Sequence, residues 1–153
     1  MVQIDEAKLH SFIAKMLDDL GGAYSVPTVR IGHRLGLFTA LHREGPVTAA
    51  GLAAAAGGLA ERYVREWALA QAANGYIDYD PSSESFSLSP EQEMVFVNRD
   101  SPVYLEGAFD LAAAMIEGEP KVEQAFARAP VCDGVIPRAV CFAPPARSSA
   151  QDT

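Results

Sequence analysis

His10, His33 and His42 are the side chains of this sequence best suited to proton transfer or metal ligation, and their placement argues against both. A catalytic imidazole needs a partner that orients it, and a metal needs several ligands converging on one point. Separations of 23 and 9 residues put no two of these imidazoles on one helical face, and no acid or cysteine completes a ligand set. They read as surface or core histidines. Cys132 and Cys141 stand nine positions apart, which fits neither a CxxC redox pair nor a common zinc spacing, so both read as reduced thiols. No serine sits in a G-x-S-x-G turn, and no loop supplies oxyanion-stabilising amides. The expectation is a chain with no catalytic residue, no metal site and no activity of its own.

Arg62 and Arg65 invite a different chemistry, because a guanidinium can pair bidentately with a guanine edge in the major groove. Glu61 and Glu66 flank them, and over residues 26–89 five arginines face six acids. The segment Asp80-Pro81-Ser82-Ser83-Glu84 holds no Lys or Arg to grip phosphate. The usual electrostatic footprint of a DNA-binding domain is missing, and Arg62 and Arg65 read as salt-bridging surface residues.

The elements that carry these residues follow from periodicity. Leu9, Phe12, Ile13, Met16, Leu17 and Leu20 recur at three- and four-residue spacings and predict an amphipathic helix that stops at Gly21-Gly22. A second helix is predicted from Pro27 to about His42, with Ile31, Leu35, Phe38 and Leu41 inward and Gly45-Pro46 as its break. Thr48 is positioned to cap a short Ala-rich helix over 49–56, and Gly57-Gly58 supply the turn after it. The next helix runs from about Ala60 to Asn74, with Tyr63, Val64, Trp67 and Ala70 inward. Alternation in Tyr76–Asp80 and Ser85–Ser89 around Pro81-Ser82-Ser83 predicts a β-hairpin. Pro90 opens a helical stretch with Met94, Val95 and Val97 as its apolar residues. Ser101-Pro102 opens a longer helix whose core stripe is Leu105, Ala108, Phe109, Ala112, Met115 and Ile116, and Pro120 starts a last one.

This order predicts a mainly α fold with a small β-hairpin: a winged helix-turn-helix with flanking N- and C-terminal helices. The organisation reads as an N-terminal amphipathic helix (1–22), a winged-helix domain (23–89), a helical connector (90–128) and a tail (129–153). The tail holds both cysteines and four of the ten prolines without helix or strand pattern, and reads as disordered or out of frame.

At 153 residues the chain fits one domain with appendages, and a net charge of −8 opposes nonspecific nucleic-acid binding. No run approaches the roughly 20 apolar residues that cross a bilayer, and Met1–Glu6 lacks the pattern of a signal peptide. The expected location is cytoplasmic, with no membrane partner.

At Leu35-Gly-Leu-Phe, Ala60-Glu-Arg-Tyr-Val-Arg-Glu-Trp, Gly75-Tyr-Ile-Asp-Tyr-Asp and Phe86-Ser-Leu-Ser-Pro-Glu, the sequence resembles the N-terminal winged-helix domain of bacterial class I S-adenosylmethionine-dependent methyltransferases. The resemblance covers residues 10–128, and Asp100-Ser-Pro-Val-Tyr-Leu and Glu119-Pro-Lys-Val-Glu-Gln-Ala-Phe are similar to the connector before the catalytic domain. It implies a noncatalytic part that dimerises and helps cover a small-molecule pocket. It also implies that Tyr24, His33, Tyr104, Phe109 and Met115 line that pocket, whereas helical spacing alone assigns such residues to core packing.

The family's cofactor turn has no counterpart. S-adenosylmethionine is held where a strand passes through glycines into a helix. Gly32-His-Arg-Leu-Gly36 falls within a predicted helix and Gly57-Gly58 join two helices. No cofactor is therefore expected for this chain, although full-length relatives use S-adenosylmethionine. The expectation is a homodimer through the first helix and residues 102–117, with a methyltransferase catalytic domain as a further partner and DNA disfavoured. A reading frame shifted or ended after about Arg128 explains the tail; the downstream nucleotides in the other two frames should then encode a strand, a glycine-rich turn and a helix. The rival class is a small winged-helix transcription regulator, with Arg62 and Arg65 as its DNA contacts.

Overall fold

The computed structural model describes residues 4–128. Residues 129–153, where the tail and both cysteines were placed, lie outside them. The chain divides into two units, residues 1–116 and 117–153. The first holds α1 (Glu6–Arg34), α2 (Leu37–Glu44), β1 (Val47–Thr48), α3 (Ala49–Ala55), α4 (Glu61–Ala73), β2 (Asp78–Asp80), β3 (Ser85–Ser87) and α5 (Pro90–Phe96). The last helix, α6 (Glu106–Arg128), begins in the first unit, and its final turns are the described part of the second.

The helix-turn-helix forms as its sequence dictates. Thr48 is extended, and its hydroxyl accepts from Gly51 N at 3.3 Å, which caps α3. Gly57 and Gly58 both take the left-handed backbone (φ 100° and 79°) that turns the chain into α4. The wing is an antiparallel sheet in the order β1-β3-β2, with Val47 opposite Phe86 and Tyr79 opposite Phe86 on its other side. The two-residue strand β1 was absent from the sequence reading, since so short a run carries no alternation.

Four expected boundaries are corrected. Gly21-Gly22 does not stop the first helix, which runs unbroken to Arg34. A helical glycine costs only about 1 kcal/mol, and neither takes a positive φ; the stop comes at Gly36, which does (φ 67°). Pro27 lies inside α1 rather than at a start. Hydroxyls keep nearby carbonyls bonded: Ser25 Oγ donates to Gly22 O at 2.6 Å and Thr28 Oγ1 to Ser25 O at 2.9 Å. Ser101 builds a turn instead of a helix start, its hydroxyl accepting from Val103 N, so α6 begins only at Glu106. Pro120 is likewise internal to α6, at an exposed position where water can satisfy the carbonyl that loses its donor.

The core of the first unit gathers Val29, Leu37, Phe38, Leu41, Leu52, Val64, Trp67, Ala68, Ile77, Phe86 and Phe96. Phe38 stacks on Phe96 with ring centres 4.6 Å apart, and Trp67 meets Phe38 edge-on at 5.1 Å. Trp67 also donates its indole N–H to Thr28 O at 2.8 Å, tying α4 to α1 beside Pro27. Ile31, Leu35 and Tyr63 are exposed rather than inward. The break at Gly36 resets the helical phase between Leu35 and Leu37, and on α4 the buried positions are 64, 67, 68 and 71. In α5 the buried apolar residue is Phe96, while Met94 is exposed.

Candidate functional site

Two faces of the first unit bear residues with functional promise. One is the helix-turn-helix face. Arg62 and Arg65 stand exposed on α4, and among the described residues neither forms an ion pair, which corrects the expected salt bridges. Glu61, Arg65 and Glu84 line one small depression between α4 and the wing, so acids from both elements share the surface that carries this guanidinium. At the wing tip Asp80 accepts from Ser82 N, Ser82 Oγ and Ser83 Oγ. These bonds, those from Ser83 and then Ser82 foremost, hold its carboxyl below the usual range and keep it charged. A wing that would approach phosphate thus presents a fixed anion.

The other face joins α1 to the start of α6. The His33 side chain is only 7% exposed, its ring 4.9 Å from Phe38, 6.2 Å from Phe96 and 6.1 Å from Tyr104. Its Nδ1 lies 3.9 Å from Glu106 Oε1, and Nε2 has no hydrogen-bond partner. Tyr104 donates its hydroxyl to Glu106 Oε2 at 2.5 Å, and Arg99 approaches the same oxygen at 3.9 Å. One turn on, Arg30 Nε donates to Asp110 Oδ1 at 2.7 Å. Burial lowers the His33 pKa below its ordinary 6.5, opposed by the charges of Glu106 and Asp110 and assisted by Arg99. Burial and the Glu106 carboxylate raise the Tyr104 hydroxyl.

Of the residues expected to line a pocket, the structure brings His33 and Tyr104 together. Phe109 is half-buried against the core cluster. Tyr24 and Met115 are 74% and 71% exposed and form no part of a core. The expected core stripe of the C-terminal helix is likewise mostly outward: Leu105, Ala108, Met115 and Ile116 are exposed, Phe109 and Ala112 are half-buried, and the buried residue is Ala113, which the expected stripe did not include. Glu106, Arg99, Asp110 and Arg30 escaped the sequence reading, since their pairings cross as many as 80 positions and leave no local pattern.

Glycine placement bears on the cofactor. Gly32 is buried inside α1, Gly36 separates α1 from α2, and Gly57 and Gly58 separate α3 from α4. None follows a strand, so these residues do not fit the strand-to-helix turn that holds S-adenosylmethionine. Among the described residues no three His, Cys, Asp or Glu side chains gather as metal ligands, and no helix is long and apolar enough to cross a membrane.

With fold and faces in view, comparison with known proteins identifies the class. The family model for the Rv2258c-like winged HTH domain matches residues 23–99, and the chain belongs to that family. Among solved structures, the chain is similar to the mitomycin 7-O-methyltransferase MmcR at 26% identity and a TM-score of 0.56, over 65% of this chain and 29% of that one. The chain therefore spans less than a third of the length of that methyltransferase. Comparison with curated proteins found no match.

Proposed function

We propose that this chain is the noncatalytic dimerisation and pocket-covering part of a small-molecule S-adenosylmethionine-dependent methyltransferase. The observation that carries the proposal is the first half of α1. Every residue from Ile4 to Tyr24 is exposed, although Leu9, Phe12, Ile13, Met16, Leu17 and Leu20 lie along it at helical spacing. Helices draw most of their stability from packing an apolar face, and among the described residues this face lies outside the core cluster and stays exposed. A second copy supplies the matching stripe, since a two-fold interface sets the same patch against itself. Leu111, Met115 and Ile116 of α6 offer further exposed apolar surface.

The family and the similarity to MmcR support the methyl-transfer setting, with the acceptor left open. On this reading a catalytic domain supplies the S-adenosylmethionine site, and this module contributes a wall of the substrate pocket beside it. Tyr104, hydrogen-bonded to Glu106, and His33 beside it are the residues that would face that pocket. The DNA-binding alternative is not favoured, because Glu61 and Glu84 share the depression that Arg65 lines and an acid occupies the wing tip.

Light scattering on the full chain after size exclusion tests the interface. Wild type is expected at twice the chain mass, and Phe12→Asp/Leu17→Asp at the mass of one chain. A wild-type monomer at micromolar concentration removes the proposal.

A further inference from the structure

A cleft of about 350 Å³ opens between the C-terminal end of α4, α5 and the first turns of α6. Its volume lies in the range of small-molecule sites, roughly 300–1,000 Å³. Three aromatic rings wall it, those of Tyr76, Phe96 and Phe109, together with the aliphatic side chains of Val95 and Leu105. The polar groups of the wall are committed elsewhere. Tyr76 donates its hydroxyl to Ser25 Oγ at 3.3 Å. Gln92 Oε1 accepts from Ser89 N, and its Nε2 reaches Gly75 O and Asp78 Oδ1.

What remains is the charge of Glu91, the one ionisable carboxylate lining the cleft among the described residues. Its own backbone amide and the Ser89 hydroxyl hold its carboxyl below the usual range, so it stays ionised near neutral pH. Among the described residues no Lys, Arg or His pairs with it. Among the described residues no Lys or Arg lines the cleft, so an anion entering it would meet a carboxylate and no counter-charge from them. A cation fits on both counts, since ring faces carry partial negative charge and attract ammonium groups within about 6 Å.

We infer that this cleft binds a small organic cation with an apolar body, its aromatic or aliphatic part against Val95, Leu105 and Phe109 and its charge between the rings and Glu91. The inference does not rest on the dimerisation reading, because the lining residues named here all belong to one chain.

Chemical-shift mapping on the ¹⁵N-labelled full chain tests it, with benzyltrimethylammonium, benzyl alcohol and benzoate as probes. The expected result is saturable shifts at Gly75, Val95 and Phe109 with the cation, affinity about fivefold weaker for the neutral alcohol, and none for benzoate. Glu91→Gln, an exposed substitution that leaves the fold intact, should bring the cation down to the level of the alcohol. Equal affinity for all three probes, an unchanged cation affinity in Glu91→Gln, or shifts confined to other surfaces would overturn the inference.

Discussion

His33 shows how burial decides what a side chain can do. Enclosed by Phe38, Phe96 and Tyr104, its imidazole is disfavoured as a cation, and Glu106 and Asp110 offset that penalty only in part. Below pH 6.5 the unfolded chain takes up a proton at this position that the folded chain still refuses. The His33 contribution is thus fully present above that pH and declines as the pH falls from it toward the lower folded value. Urea midpoints should therefore drop more steeply between about pH 7 and about pH 5 in wild type than in His33→Gln. Parallel profiles would show that the ring is not buried as described. Gly32, one residue earlier, is a matter of space: a Cβ there would stand 2.6 Å from both Phe38 Cε2 and Trp67 Cζ2. Overpacking of this kind costs about 1–3 kcal/mol, which exceeds the roughly 1 kcal/mol that alanine returns in helix propensity. Gly32→Ala is expected to lower the denaturation midpoint, and a raised midpoint would mean that the rings yield. Neither residue disclosed its role in the sequence, because both depend on neighbours from distant elements.

At the level of elements, what could be read depended on whether the signal was local. Thr48, Gly57-Gly58, Asn74-Gly75 and Ser89-Pro90 act on their immediate neighbours, and the helices and wing appear where those residues place them. The continuity of α1 was not legible. Gly21-Gly22 and Pro27 are ordinary stop signals, and only the hydroxyl bonds of Ser25 and Thr28 and the indole of Trp67 show why the helix passes them. The inner face of α4 was misread at two positions for a similar reason, with Tyr63 and Ala70 expected where Ala68 and Gln71 are buried. Polarity assigns Gln71 to the surface, and without it the buried stripe shifts toward Tyr63. Gln71 is wholly buried with neither Nε2 nor Oε1 hydrogen-bonded, and such groups carry a desolvation cost of about 1–3 kcal/mol. Gln71→Met, close in shape and without the amide, is expected to raise the unfolding free energy by about 1 kcal/mol or more. A loss of stability on that change would mean that the amide is solvated within the core.

Taken as a whole, the molecule pairs an ordinary winged-helix core with an unusually bare first helix. The core says what class of domain this is, and its wing, with Asp78, Asp80 and Glu84 and no Lys or Arg, lacks the basic groups with which a winged helix grips phosphate. Sequence alone indicated the fold and the apolar stripe of α1, since each is written in residue type and spacing. The partner of that stripe is not written there, nor is the ion-pair network that fastens α1 to α6. The central claim is that another copy of this chain covers α1, and amide hydrogen exchange across residues 6–24 tests it most directly when followed against protein concentration. Protection that rises with concentration and then plateaus, while the core amides of α4 hold steady, is the predicted result. Exchange in α1 that is equally fast, or equally slow, at every concentration would contradict it.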